Sequence, residues 1–180
     1  MRRPHFRLAA ALFLLGALAA CELRPLYAKS DAAPGGTAAI ESLQAIKIGS
    51  ITGDSSYRTE YLLRNSLLDR LNPRGEPSRP GYRLDIILYE FKEQLAITSV
   101  DEATRTNLVI AARYRLIDNA SNAPVHASEV RGITAYNLLR ADFGNVAAEI
   151  DARQRVTREL AEQIRLELAT WFTRPAVQRP

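Results

Sequence analysis

One cysteine, Cys21, and two histidines, His5 and His126, are the whole supply of soft metal ligands and thiol or imidazole catalysts in this chain. Metal centres of the histidine–cysteine kind need several such ligands at close spacing, and the chain cannot provide them. The acid pairs Asp101-Glu102 and Glu90 with Glu93 have the residue types for proton transfer. They sit in turns and on strand surfaces, however, where carboxylates are ordinarily just solvated. No glycine-rich phosphate loop and no nucleophile elbow occurs. His126 alone on a strand reads as structural or solvated. These observations argue against an enzyme.

Arginine is what remains. Arg105, Arg113 and Arg115 fall on one face of a single strand by their odd spacing, and Arg131 lies on the strand after it. Guanidinium groups gathered on a sheet face can hold phosphates through paired hydrogen bonds. The same pattern also describes the solvated polar face that antiparallel sheets normally have. The arginines of the last helix alternate with glutamates and read as helix-surface pairing.

Position explains the cysteine. It follows Leu18-Ala19-Ala20 at the end of a 13-residue apolar run, Leu8 to Ala20, behind Arg2, Arg3 and Arg7. A basic start, a short apolar run and small residues before a cut make a secretory signal. The run is too short for a spanning helix, which needs roughly 18 or more apolar residues. Leu-Ala-Ala-Cys resembles the bacterial lipoprotein signal. That resemblance implies cleavage between Ala20 and Cys21, with a diacylglycerol on the thiol, an N-acyl chain on the new terminus, and no other cofactor. Residues 1–20 would then be lost.

Loss of the leader changes the charge. The full chain carries 24 Lys+Arg against 20 Asp+Glu, and the leader removes three arginines and no acid, so the remainder is near neutral at +1. Such a balance gives no support to nucleic-acid binding. The 160 residues left suit one domain, large enough to fold without disulfide or metal.

The elements that must position these residues are legible in outline. Residues 21–42, with Pro34-Gly35-Gly36, read as a lipidated terminus and tether. A single domain spans 43–174 and a short tail 175–180. Leu43 to Ile51 alternates like a first strand. Ser55-Ser56 offers a cap to a helix from Tyr57 to Asn72, which Pro73 stops. Tyr82 to Val100 reads as a long strand with apolar residues on both faces, which implies a change of packing partner or a bulge. Arg105 to Asp118 alternates cleanly, and Val125 to Tyr136 is a weaker strand. Phe143 to Phe172 has the spacing of a long amphipathic helix. The order β-α-β-β-β-α predicts an α+β fold with two helices on one side of a four-stranded mixed β-sheet.

A set of short segments carries a further resemblance. Cys21-Glu-Leu-Arg-Pro-Leu-Tyr27 leads; Leu67-Leu68-Asp69-Arg70-Leu71-Asn72, Tyr82-Arg83-Leu84-Asp85-Ile86 and Ala103-Thr104-Arg105 follow. Ala135-Tyr136-Asn137, Asp142-Phe143 and Asp151-Ala152-Arg153 complete it, running into Leu160-Ala161-Glu162-Gln163-Ile164. In this order, behind the lipoprotein signal, they resemble the lipopolysaccharide-assembly lipoproteins of the LptE family in its alphaproteobacterial form. One departure is Glu22-Leu23, where the family commonly has Gly-Phe after the cysteine, a position that influences sorting between membranes. The resemblance implies two helices on a four-stranded sheet. It also implies a non-enzymatic lipoprotein of the outer membrane, lipid-anchored and facing the periplasm. Its partners would be lipopolysaccharide and the LptD-type translocon β-barrel, in whose lumen it sits as a plug and whose assembly it assists. No motif maps its lipopolysaccharide contacts; assigning Arg105, Arg113 and Arg115 to lipid phosphates is a separate expectation from their spacing. A different class stays open: a periplasmic lipoprotein auxiliary of a phospholipid or ABC-type transport system, such as the mammalian-cell-entry type.

Overall fold

The computed structural model describes residues 36–94, 105–138 and 142–174. Their elements run α1 (Gly36–Gln44), β1 (Ile46–Asp54), α2 (Tyr57–Leu71), β2 (Tyr82–Gln94), β3 (Arg105–Asp118), β4 (Pro124–Asn137) and α3 (Asp142–Thr173). The four strands form one sheet in the order β1-β2-β3-β4, with β1 parallel to β2 and the other pairs antiparallel. The α+β class and the mixed sheet are as the sequence predicts.

The helix count differs. A third helix, α1, precedes β1, so the order is α-β-α-β-β-β-α, and residues 36–42 are helical where a tether was expected. Ala39 and Leu43 stand one turn apart and are both buried in the core. Tertiary packing against α3 thus overrides the loop-like composition of the preceding Pro-Gly-Gly. Strand β1 accordingly begins at Ile46 rather than Leu43.

Helix α2 starts where its cap chemistry says. Ser56 is extended (φ −72°, ψ 144°), and its Oγ accepts the Thr59 N–H at 3.2 Å. Leu63, Leu67 and Leu71 form the buried stripe. Helix α3 contributes Val156, Leu160, Ile164 and Leu168, all at 0% exposure. Both long helices pack on the sheet face formed by Leu84, Ile86, Leu88, Leu108, Ile110 and Tyr114. Where α3 crosses β4 the approach is close: a Cβ at Gly132 would stand 2.5 Å from Val156 Cγ2. Only glycine fits there.

Strand β2 pairs with β3 without a slip from Tyr82 to Gln94, so the expected bulge is absent from that pairing. The irregularity lies in β1, whose register against β2 shifts between Ile48 and Ile51. Asp85 Oδ1 accepts the Ser50 N–H at 3.1 Å, and the Arg64 guanidinium donates to the Ile48 and Gly49 carbonyls. Those contacts hold the bulge. The expected continuation of β2 to Val100 lies outside the described residues.

Candidate functional site: the arginine and aromatic face of the sheet

Side chains alternate across a strand, so the odd-numbered residues of β2, β3 and β4 point away from the helices. Among the described residues no helix covers this face. Its second apolar stripe, Ile87, Tyr89 and Phe91 on β2, is what made β2 look apolar on both sides. Tyr89 and Phe91 stay exposed, at 38% and 42%, because arginines stack on them instead of a helix. Arg113 lies over the Tyr89 ring with its guanidinium carbon 5.7 Å from the centroid, and Arg131 lies over Phe91 at 5.6 Å. Each such contact contributes about 0.5–1 kcal/mol at an exposed site.

The register decides which predicted arginines meet. Arg113 stands opposite Glu129 and Arg131 opposite Ala111, so Arg113, Arg115 and Arg131 form one group. Arg105 begins β3, eight residues from Arg113, or roughly 26 Å along an extended strand. It is exposed on the same face but outside the group. Arg113 is already committed: its Nε and Nη2 both donate to Glu129 Oε2, at 3.0 and 2.9 Å. Among the described residues Arg115 and Arg131 make no such carboxylate pair. Arg113 forms a wall between two shallow depressions of about 280 Å³ each, one reaching Arg115, Asp85 and Ser50, the other Arg131, Phe91 and Glu129. The face therefore offers two available guanidinium groups beside exposed rings, a surface suited to an anionic group carried on an apolar body.

On the helix side, two expectations change. Glu90, read as a solvated carboxylate, is 8% exposed, and Arg153, read as a helix-surface residue, is 11% exposed. Arg153 donates to Glu90 Oε1 at 2.7 Å and to Glu149 at 2.6 Å, and Thr59 Oγ1 donates to Glu90 Oε2 at 2.5 Å. Burial pushes the Glu90 pKa up, but the Arg153 and Thr59 hydrogen bonds and the Arg153 charge outweigh it, and the net shift is downward. This network ties β2, α3 and the start of α2 together.

His126 is half-buried, as a structural histidine should be. Its ring stacks on Trp171 at 5.7 Å and 24°, and burial lowers its pKa against the pull of Glu167. Tyr114, beside it, donates its O–H to Glu167 at 2.6 Å; burial first, and then Glu167, raise the phenol's pKa. The described residues contain no cluster of three or more metal-ligating side chains and no helix long and apolar enough to cross a membrane. Ala20 and Cys21 lie outside the described residues.

Comparison with known proteins matches residues 43–168 to the sequence model of a family described as LptE, lipopolysaccharide-assembly. In the solved structures, a Caulobacter crescentus CB15 protein assigned as a lipoprotein is 26% identical. It superposes with a TM-score of 0.61, over 77% of this chain and 98% of that one. A minor lipoprotein from Acinetobacter baumannii, 16% identical, shares the fold with a TM-score of 0.52, over 67% and 90% of the two chains. Among curated proteins, none matches.

Proposed function

This chain belongs to the LptE lipopolysaccharide-assembly family, and we propose that it is the lipid-anchored partner of the outer-membrane β-barrel that delivers lipopolysaccharide to the cell surface. In this reading it is non-catalytic, sits within the barrel lumen as a plug, and assists the barrel's assembly. The observation that carries the reading is the family match, which spans residues 43–168 and so takes in all four strands and nearly all of both long helices.

The surface chemistry agrees with it. Barrel interiors are polar and often plugged, and a near-neutral chain with interspersed charges can enter one without a large field of one sign. Acylation at Cys21 would hold the domain at the membrane. Each buried methylene contributes about 0.8 kcal/mol, and stable anchoring needs more than one chain, which a diacylglycerol and an N-acyl group together supply. The open sheet face is the candidate contact for lipopolysaccharide: Arg115 and Arg131 for phosphates, Tyr89 and Phe91 for adjoining apolar parts. Arg113 contributes less in this reading, because Glu129 already occupies it.

Binding of the purified chain to lipopolysaccharide tests the arginine assignment. Replacing Arg113, Arg115 and Arg131 by alanine should weaken binding at least about tenfold, the equivalent of one phosphate contact worth about 1.4 kcal/mol. Replacing Arg105 alone should change it little. Unchanged binding by the triple variant would remove the sheet face from the lipid pathway.

A further inference from the structure

Among the described residues no strand pairs with the outer edge of β4. Along a strand, each residue's N–H and C=O point to the same side, and the side alternates. Asn119 N donates to the Gly81 carbonyl, and Asp118 N donates to the Ala123 carbonyl. These bonds fix the phase: odd residues of β3 bond toward β2, and even residues bond toward β4. Since Leu116 pairs with His126 and Ala112 with Val130, the even residues of β4 face β3. The backbone groups of Ala127, Glu129, Arg131 and Ile133 therefore point outward, where no described strand pairs with them.

The remaining edge is closed. Arg155 Nη1 donates to Thr134 Oγ1 at 2.6 Å, and its Nη2 donates to the outward Ala135 carbonyl at 3.4 Å. On the far side of the sheet, Arg64 occupies carbonyls of β1 at its bulge. Bulges and charged side chains are the usual means of blunting an edge. Between Ala127 and Ile133 the register has no bulge. The charged residues there, Glu129 and Arg131, are turned onto the sheet face, one paired with Arg113 and the other over Phe91, and Ile133 is 54% exposed.

A cleft of about 370 Å³ runs beside this open stretch, on the helix side. His126 and Ser128 of β4 form one wall; Leu166, Glu167, Thr170 and Trp171 of α3, with Arg174 just past its end, form the other, so the cleft has an apolar floor at Trp171 and Leu166 and a charged rim. An edge strand beside a helix, with a pocket between them, is the arrangement that recognises extended peptides. The backbone ladder supplies affinity, and alternate side chains entering the pocket supply specificity.

We propose that the Ala127–Ile133 edge of β4 docks an extended segment of a partner protein as a fifth strand. Its chemistry follows from the neighbours it would meet. An acidic residue belongs opposite Arg131, which faces a ring and no carboxylate among the described residues. An aliphatic residue belongs opposite Ile133, and apolar side chains belong on the alternate positions that enter the cleft over Trp171 and Leu166. Arg131 serves either this contact or the lipid contact proposed above, not both together; the backbone edge and the cleft take a protein strand of this chemistry without the lipid assignment.

Photo-crosslinking of the full chain in its native cells tests it, with benzoylphenylalanine placed in turn at Ala127, Glu129, Arg131 and Ile133. A docked strand predicts crosslinks to one segment of another protein, shifting by two residues whenever the probe shifts by two, and a sequence with the acid and apolar positions described. Ala127→Pro removes an outward N–H that the fold does not use, and Leu166→Arg fills the cleft from an exposed helix position; each should abolish the crosslinks. Crosslinks to a second copy, to this chain itself or to lipid, or crosslinks without the two-residue step, would overturn the proposal. So would an unchanged pattern in either variant with wild-type Tm. Loss of the barrel alone, with the stepped pattern kept on another protein, would count against the function proposed above and leave this inference standing.

Discussion

Glu90 and Arg153 show how one buried charge depends on a partner far away in sequence. Removing one member of a buried pair costs about 3–5 kcal/mol, because the other is left uncompensated. Arg153→Ala should therefore lower the unfolding free energy by about 3 kcal/mol in denaturant titrations at neutral pH. The pH dependence has a definite sign. The folded-state pKa of Glu90 lies below its ordinary value of 4.5, so its contribution is present above that value and is lost as pH falls through the folded pKa. The gap between wild type and Arg153→Ala should accordingly be full at pH 7 and narrow as pH drops below about 4.5. A gap constant between pH 7 and pH 3 would show that the pair is not what holds α3 to β2. The reading of Glu90 as a solvated carboxylate passes over a signal in the sequence: Glu90 continues the period of Leu84, Ile86 and Leu88, which places it on the buried face. Its partner was not legible, because Arg153 lies 63 residues away and looks like its exposed arginine neighbours on α3. The open face divides the same way. The odd spacing of Arg113 and Arg115 put them together and their distance along β3 separates Arg105, while the register of β4 was needed to bring in Glu129 and Arg131.

Elements with long, regular patterns were readable, and those with mixed signals were not. The clean alternation of β3 and the leucine stripe of α2 predicted both elements nearly to their ends. The apolar duality of β2 was a true signal with a different cause: one face meets the helices, and the other carries rings under arginines. Helix α1 was hidden because two apolar residues one turn apart, next to Pro-Gly-Gly, carry little periodicity of their own. Its order comes from packing on α3, and that gives a test. Leu43 is 8% exposed in the core cluster, so Leu43→Ala should cost about 2–4 kcal/mol. A cost below about 0.5 kcal/mol, the range of ordinary surface positions, would mean that α1 is not part of the cooperative unit.

At the scale of the whole molecule, the two faces of the sheet differ in what covers them. The helix face holds nearly all the core, and the other face carries aromatic rings under arginines. If the chain is the barrel partner proposed above, this face is the surface it would set against the barrel wall or the lipid. Under the proposed function the tagged chain should recover a large β-barrel at about one to one from detergent-solubilised outer membranes, one plug to one lumen. This pull-down is the most direct test of the account. Recovery of the barrel in that ratio is the result it predicts; recovery of the chain alone, or with inner-membrane transporter subunits, would contradict it.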